Sequence, residues 1–152
     1  SHHFGLDRKL AMFERLGGRP ARDAAARFWL DPTPATWADY ERLCRPHYNT
    51  TPAADPDAKA RTIAVDAILF HTARHEMPTM DLRPGLAAVQ CPVLVMAGDA
   101  DPVTPIEDAE EIVAALPPQW VQFERFHHVG HGAWRDDVEA AFAVIRRFVG
   151  GA

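Results

Sequence analysis

Serine is all but missing from these 152 residues: the only one is Ser1. Any serine chemistry must use that residue or be supplied from elsewhere. Long apolar runs are missing too, none approaching bilayer-spanning length, and the first residues show no charged-then-apolar leader pattern. Cysteine is scarce. Cys44 and Cys91 have no metal or redox spacing, and two are too few for a disulfide framework, so a reduced, cytoplasmic setting is expected. The 16 Lys and Arg residues are scattered and the net charge is −5, which argues against a nucleic-acid footprint or a polybasic membrane patch. What is present, 47% hydrophobic and 24% charged residues, is ordinary for a globular protein large enough to bury a core.

The pattern changes near residue 80. Before it, helical segments alternate with Pro and Gly punctuation. Leu6, Leu10, Phe13 and Leu16 fall at helical spacing until Gly17-Gly18, a second helix runs from Pro20 to Leu30, and Thr33-Pro34 opens a third carrying Trp37, Tyr40, Leu43 and Cys44. Proline suits a first helical turn because its missing N–H has no partner there anyway. Pro46 ends this helix, a Pro-rich loop reaches Pro56, and a longer helix from Asp55-Pro56 to about His75 places Ile63, Ala67, Ile68 and His71 on one face. No strand-like alternation interrupts the region, which reads as a helical insertion.

After residue 80 the order becomes strand, acidic loop, helix, strand, His loop, helix. A short helix spans about Pro84 to Val89. The continuous apolar run Val93-Leu94-Val95-Met96-Ala97, closed by Gly98, suits a parallel strand buried on both faces. Thr104-Pro105-Ile106-Glu107 has the form of a capping box opening a helix that buries Ile106, Ala109, Ile112, Val113 and Leu116. Trp120 to Phe126 alternates as a second strand. Gly130-His131-Gly132 forms a turn, and Asp136-Asp137 leads a last helix with Val138, Phe142, Ile145 and Phe148 inward. Two strands make a poor independent sheet, so this half expects neighbouring strands.

Functional groups in open α/β sheets collect beyond the carboxyl ends of the strands. The two loops there offer Asp99 and Asp101 after the first strand, and His127, His128 and His131 after the second. A carboxylate meeting an imidazole at that edge makes the orienting half of a nucleophile–His–acid triad.

The run Cys91-Pro-Val-Leu-Val-Met-Ala-Gly-Asp-Ala-Asp-Pro-Val-Thr-Pro105 resembles the strand and acid loop of the α/β-hydrolase superfamily, and Val129-Gly-His-Gly132 resembles its His loop. The superfamily's chain order is Ser, then acid, then His. The resemblance implies an α/β fold, helix-rich overall: the C-terminal portion of an α/β-hydrolase, with residues 1–80 as helical cap or lid and 81–152 as the last two parallel strands and their helices. It implies Asp101 as triad acid and His131 as triad base, with no cofactor. The cap and the Asp-Leu-Arg-Pro run at 81–84 are most similar to proline-iminopeptidase-like hydrolases. In some of these an acidic residue follows the triad acid. Here that position is Pro102, so a small ester, amide or peptide substrate is equally open. The G-x-S-x-G elbow and the oxyanion loop are absent and are expected ahead of Ser1.

Each residue also has a plainer reading. Asp99 reads as a turn residue, or as one that holds substrate or orients His131. His127 and His128 read as structural or solvent-facing, and Cys91, before Pro92 at a strand entry, as core. No H-E-x-x-H helix accompanies the histidines, so no metal site is expected. Trp29, Trp37 and Tyr40 are packing residues or substrate walls of the cap, and Glu76 is a solvated charge or a contact to a substrate amine.

The expectation is therefore part of a serine hydrolase, inactive by itself, whose partner is the N-terminal half of the enzyme or a second copy of the chain. One alternative is a non-catalytic module pairing through an exposed strand edge. Another is an N-terminal-nucleophile hydrolase using Ser1, which a helix starting at Leu6 disfavours.

Overall fold

The computed structural model describes residues 5–52, 64–74 and 80–151, with 71–74 by backbone alone. The chain divides into two compact units. One comprises residues 1–47 and 51–80, the other residues 81–152 together with Tyr48–Thr50.

The first unit is helical. Helix α1 (Leu6–Leu30) is broken at Gly18, whose φ of 70° no helix accommodates, so the two expected helices are arms of one kinked element. Helix α2 (Pro34–Leu43) begins at a true capping box. The Thr33 hydroxyl accepts the Thr36 N–H at 3.2 Å, while the Thr36 hydroxyl accepts the Thr33 N–H at 2.8 Å. A 3-10 turn follows at Arg45–His47. Phe13, Phe28, Trp37 and Tyr40 bury together, with the Phe28 and Tyr40 ring centroids 4.8 Å apart and those of Phe13 and Tyr40 5.8 Å apart. Ala21, Ala24 and Ala25 on α1 are also buried. Cys44 closes this core, its thiol donating to the Ala21 carbonyl at 3.2 Å, and burial pushes its pKa up to about 12. Helix α3 (Val65–Arg74) completes the described part. The expected start of that helix at Asp55-Pro56, and its end at His75, lie outside the described residues.

In the second unit, strands β1 (Val93–Gly98) and β2 (Val121–Phe126) pair in parallel, from Val93 opposite Val121 to Gly98 opposite Phe126. A parallel pair needs a crossover, and α5 (Ile106–Ala115) supplies it. Helices α4 (Arg83–Leu86), α6 (Ala133–Asp136) and α7 (Val138–Gly150) complete the unit. The protein is thus helix-rich with a small two-stranded parallel sheet. The Asp-Leu-Arg-Pro run fastens α4 to α5. Arg83 grips Asp81 bidentately, both contacts 2.8 Å, and reaches Glu111 of α5 at 2.8 Å. The side-chain hydrogen bonds from Arg83 hold the Asp81 carboxyl down at about 2.

Four expectations are corrected here. Thr104 does not cap α5: the cap position is Pro105, without a side-chain bond, because the Thr104 hydroxyl is turned to Asp101. The last helix buries Ala141 and Val144 rather than Val138 and Phe142, which are exposed; Ala140 and Ala141 face the core, and Val138 and Phe142 fall on the other side. Ile112 of α5 is also exposed, as is Cys91. The core of this unit gathers Phe126, Val129, Ala133, Ala141 and Val144, with Leu94 and Met96 packed against it. Phe126 and Val129 tie that core to the loop leaving the carboxyl end of β2. Among the described residues, no helix is long and apolar enough to cross a membrane.

Candidate active site

Past the paired ends Gly98 and Phe126, the two strands release loops that touch at once. The Asp99 N–H donates to the Phe126 carbonyl at 3.0 Å, and the Ala100 N–H to the Val129 carbonyl at 3.0 Å. Close approach is possible because position 98 lacks a side chain: a Cβ there would run into the Val129 carbonyl oxygen.

The loops bring Asp101 and His131 together, with Asp101 Oδ2 3.0 Å from His131 Nδ1. The acid is saturated with donors. Oδ1 accepts the Val103 N–H at 2.7 Å and the Thr104 N–H at 2.9 Å, while Oδ2 also accepts the Thr104 hydroxyl at 2.8 Å. Both oxygens of Asp101 are thus engaged, and the imidazole meets the carboxyl group through Nδ1. The Asp101 side chain is 5% exposed and that of His131 36%, an acid sealed beneath an imidazole that meets solvent. Val129 and Ala133, both buried, pin the loop to the core on either side of His131.

A second pair sits beside the first. Asp99 Oδ2 lies 3.0 Å from His127 Nδ1, and Asp99 Oδ1 accepts the His128 N–H at 2.7 Å. Partial burial acts to raise the Asp99 carboxyl, but the His128 N–H and the His127 ring outweigh it, and its pKa is lowered. His128 has φ 60°, an uncommon backbone for a side-chain-bearing residue, and Asp99 holds the N–H of that residue. Asp99 is therefore more than a turn residue, since it fixes the start of the His loop.

The remaining support was not visible in the sequence. Tyr48, Asn49 and Thr50, read there as part of a loop, run against the His loop. The His131 N–H donates to the Tyr48 carbonyl, Asn49 Nδ2 donates to the His131 carbonyl at 3.1 Å, and the Thr50 hydroxyl to the His128 carbonyl at 2.8 Å. The Tyr48 ring presents its edge to the His131 ring, centroids 5.5 Å apart. Gly130 must lack a side chain, because its Cβ would meet the Tyr48 carbonyl oxygen.

Of the other candidates, Trp37 and Tyr40 are buried in the helical unit's aromatic core. Trp29 joins them with its ring 6.1 Å from Tyr40 and the Lys9 ammonium 5.9 Å from its own centroid. Their evident work is packing. Glu76 and Ser1 lie outside the described residues. Among the described residues, no group of three or more His, Cys, Asp and Glu side chains is arranged to hold a metal ion. No family model matches the chain, and no curated protein sequence matches it.

Proposed function

We propose that this chain supplies the acid, the base and a helical cap of a serine hydrolase of α/β-hydrolase lineage. The nucleophile would come from polypeptide outside these 152 residues. The observation that carries the reading is the Asp101–His131 pair: a sealed carboxylate, bonded at both oxygens, against Nδ1 of a part-exposed ring. In such a site Nε2 takes the proton of a serine hydroxyl as its oxygen attacks the substrate carbonyl. The imidazolium, steadied by Asp101, returns that proton to the leaving group, and water repeats the cycle on the acyl-enzyme. A small ester, amide or peptide fits this chemistry.

The test is twofold. The residues encoded ahead of Ser1 should contain a G-x-S-x-G elbow and a glycine-rich oxyanion loop within roughly 150 positions. The 152-residue chain alone should not turn over p-nitrophenyl acetate. Upstream sequence lacking both motifs, or turnover by the isolated chain that His131→Ala abolishes, would overturn the proposal.

A second reading, a non-catalytic module that pairs through a strand edge, draws on one observation. Among the described residues each strand has a single neighbour, and Val138, Phe142 and Val149 are exposed apolar side chains on α7. Sedimentation separates the two, because a clean monomer at high concentration counts against edge pairing.

A further inference from the structure

We infer that Tyr48, Asn49 and Thr50 are positioning residues for His131, a strap that sets where Nε2 points. The inference rests on the reading of His131 as a base, but its decisive measurement does not require turnover.

His131 stands between two glycines, and Gly132 has φ 98°, so the local backbone has little stiffness of its own. Asp101 fixes the ring at Nδ1 only, and a ring held at one atom can still swing about that contact and move with its backbone. The strap removes this freedom from several directions. The Tyr48 carbonyl accepts the His131 N–H, and Asn49 Nδ2 donates to the His131 carbonyl at 3.1 Å. The Tyr48 ring edge meets the imidazole at an interplanar angle of 79°. The Thr50 hydroxyl holds the carbonyl of His128, the residue with positive φ, whose N–H Asp99 already holds. Finally, one oxygen of Asp136 accepts both the Gly130 N–H at 2.7 Å and the Thr50 N–H at 3.1 Å, locking strap and His loop to α6. His128, Gly130 and His131 are thus each tied to the strap or to a partner the strap shares. None of these residues is placed to react; they act through His131.

The variants are Asn49→Ala, Thr50→Val and the conservative Thr50→Ser. In the 152-residue chain, amide hydrogen exchange at Gly130 and His131 should accelerate about tenfold in the first two, while Val93, whose N–H donates to the Trp120 carbonyl at the start of the sheet, keeps its protection. The Nδ1–H proton resonance of His131 should broaden or vanish in the same two variants and return in Thr50→Ser. Unchanged exchange at 130 and 131 overturns the strap. Faster exchange with an intact Nδ1–H resonance also overturns it, because the strap would then hold the loop without orienting the base. With the upstream polypeptide present, Asn49→Ala should lower kcat on p-nitrophenyl acetate about tenfold or more and leave KM within about twofold, as misplacement of a catalytic group does. If His131→Ala leaves that turnover unchanged, the hydrolase reading fails, and the resonance still decides the strap.

Discussion

The end of the sheet carries two acid–imidazole pairs with the same 3.0 Å separation, Asp101 with His131 and Asp99 with His127. Distance does not distinguish them; surroundings do. Asp101 is 5% exposed and receives three donors besides its contact with His131, whereas Asp99 is 21% exposed and its ring partner His127 is 73% exposed. A polar contact in water contributes little, while a sealed carboxyl group engaged at both oxygens gives the imidazole a fixed partner. The exposed pair is a fastener for the loop, and the sealed pair is the one to which the proposed function assigns proton transfer.

That contrast can be broken at several strengths. The largest effect concerns catalysis. In protein that includes the nucleophile, His131→Ala should reduce kcat/KM on the order of 10⁴-fold, while His127→Ala costs less than about threefold. Equal losses would erase the distinction between the pairs. Next is stability, measured by urea unfolding. Asp101→Ala removes the acceptor of the part-buried Val103 and Thr104 N–H bonds and should cost about 2 kcal/mol, against about 1 kcal/mol for Asp99→Ala. The Thr104 hydroxyl belongs to the sealed pair alone, so Thr104→Val should cost about 1 kcal/mol and Thr104→Ser almost nothing.

The smallest effect is in pH. The Asp99 pKa is lowered in the folded protein, so its contribution is fully present above the unfolded value of about 3.9 and is lost as pH falls through the lower folded value. The stability gap between wild type and Asp99→Asn should therefore narrow only below about pH 4. A gap that closes near neutrality would show that Asp99 is not held as described.

How much of this was legible beforehand differs by kind of signal. Strand runs and turn glycines are local, so β1, β2, the break at Gly18 and the meeting of Asp101 with His131 could be read from spacing and loop position. Thr104 shows where local rules fail. Its hydroxyl had two possible partners nearby, the helix end and Asp101, and the tertiary carboxylate won. Helix α7 departs from the expected face at Val138 and Phe142: Phe142 looks like core, yet the smaller Ala141 faces inward with the half-buried Ile145 and Phe148, and Phe142 outward. The strap left no trace, since a contact between residues 78 to 86 positions apart produces no periodicity.

Those separations have a consequence for folding time. The Asp101–His131 contact closes a loop of 30 residues, but the Asn49–His131 contact closes one of 82. Closing the longer loop costs only about 0.9 kcal/mol more in chain entropy, so the equilibrium barely registers it. Rate is another matter, because distant contacts form late. The dyad can assemble first, within the polypeptide that follows residue 80, and acquire its grip only when the stretch after Pro46 returns. A chain begun at Asp81 would have acid and imidazole in reach of one another without the contacts of Tyr48 and Asn49 that hold the His131 backbone. Refolding followed at the Tyr48 and His131 side chains should therefore lag behind refolding followed at the strands.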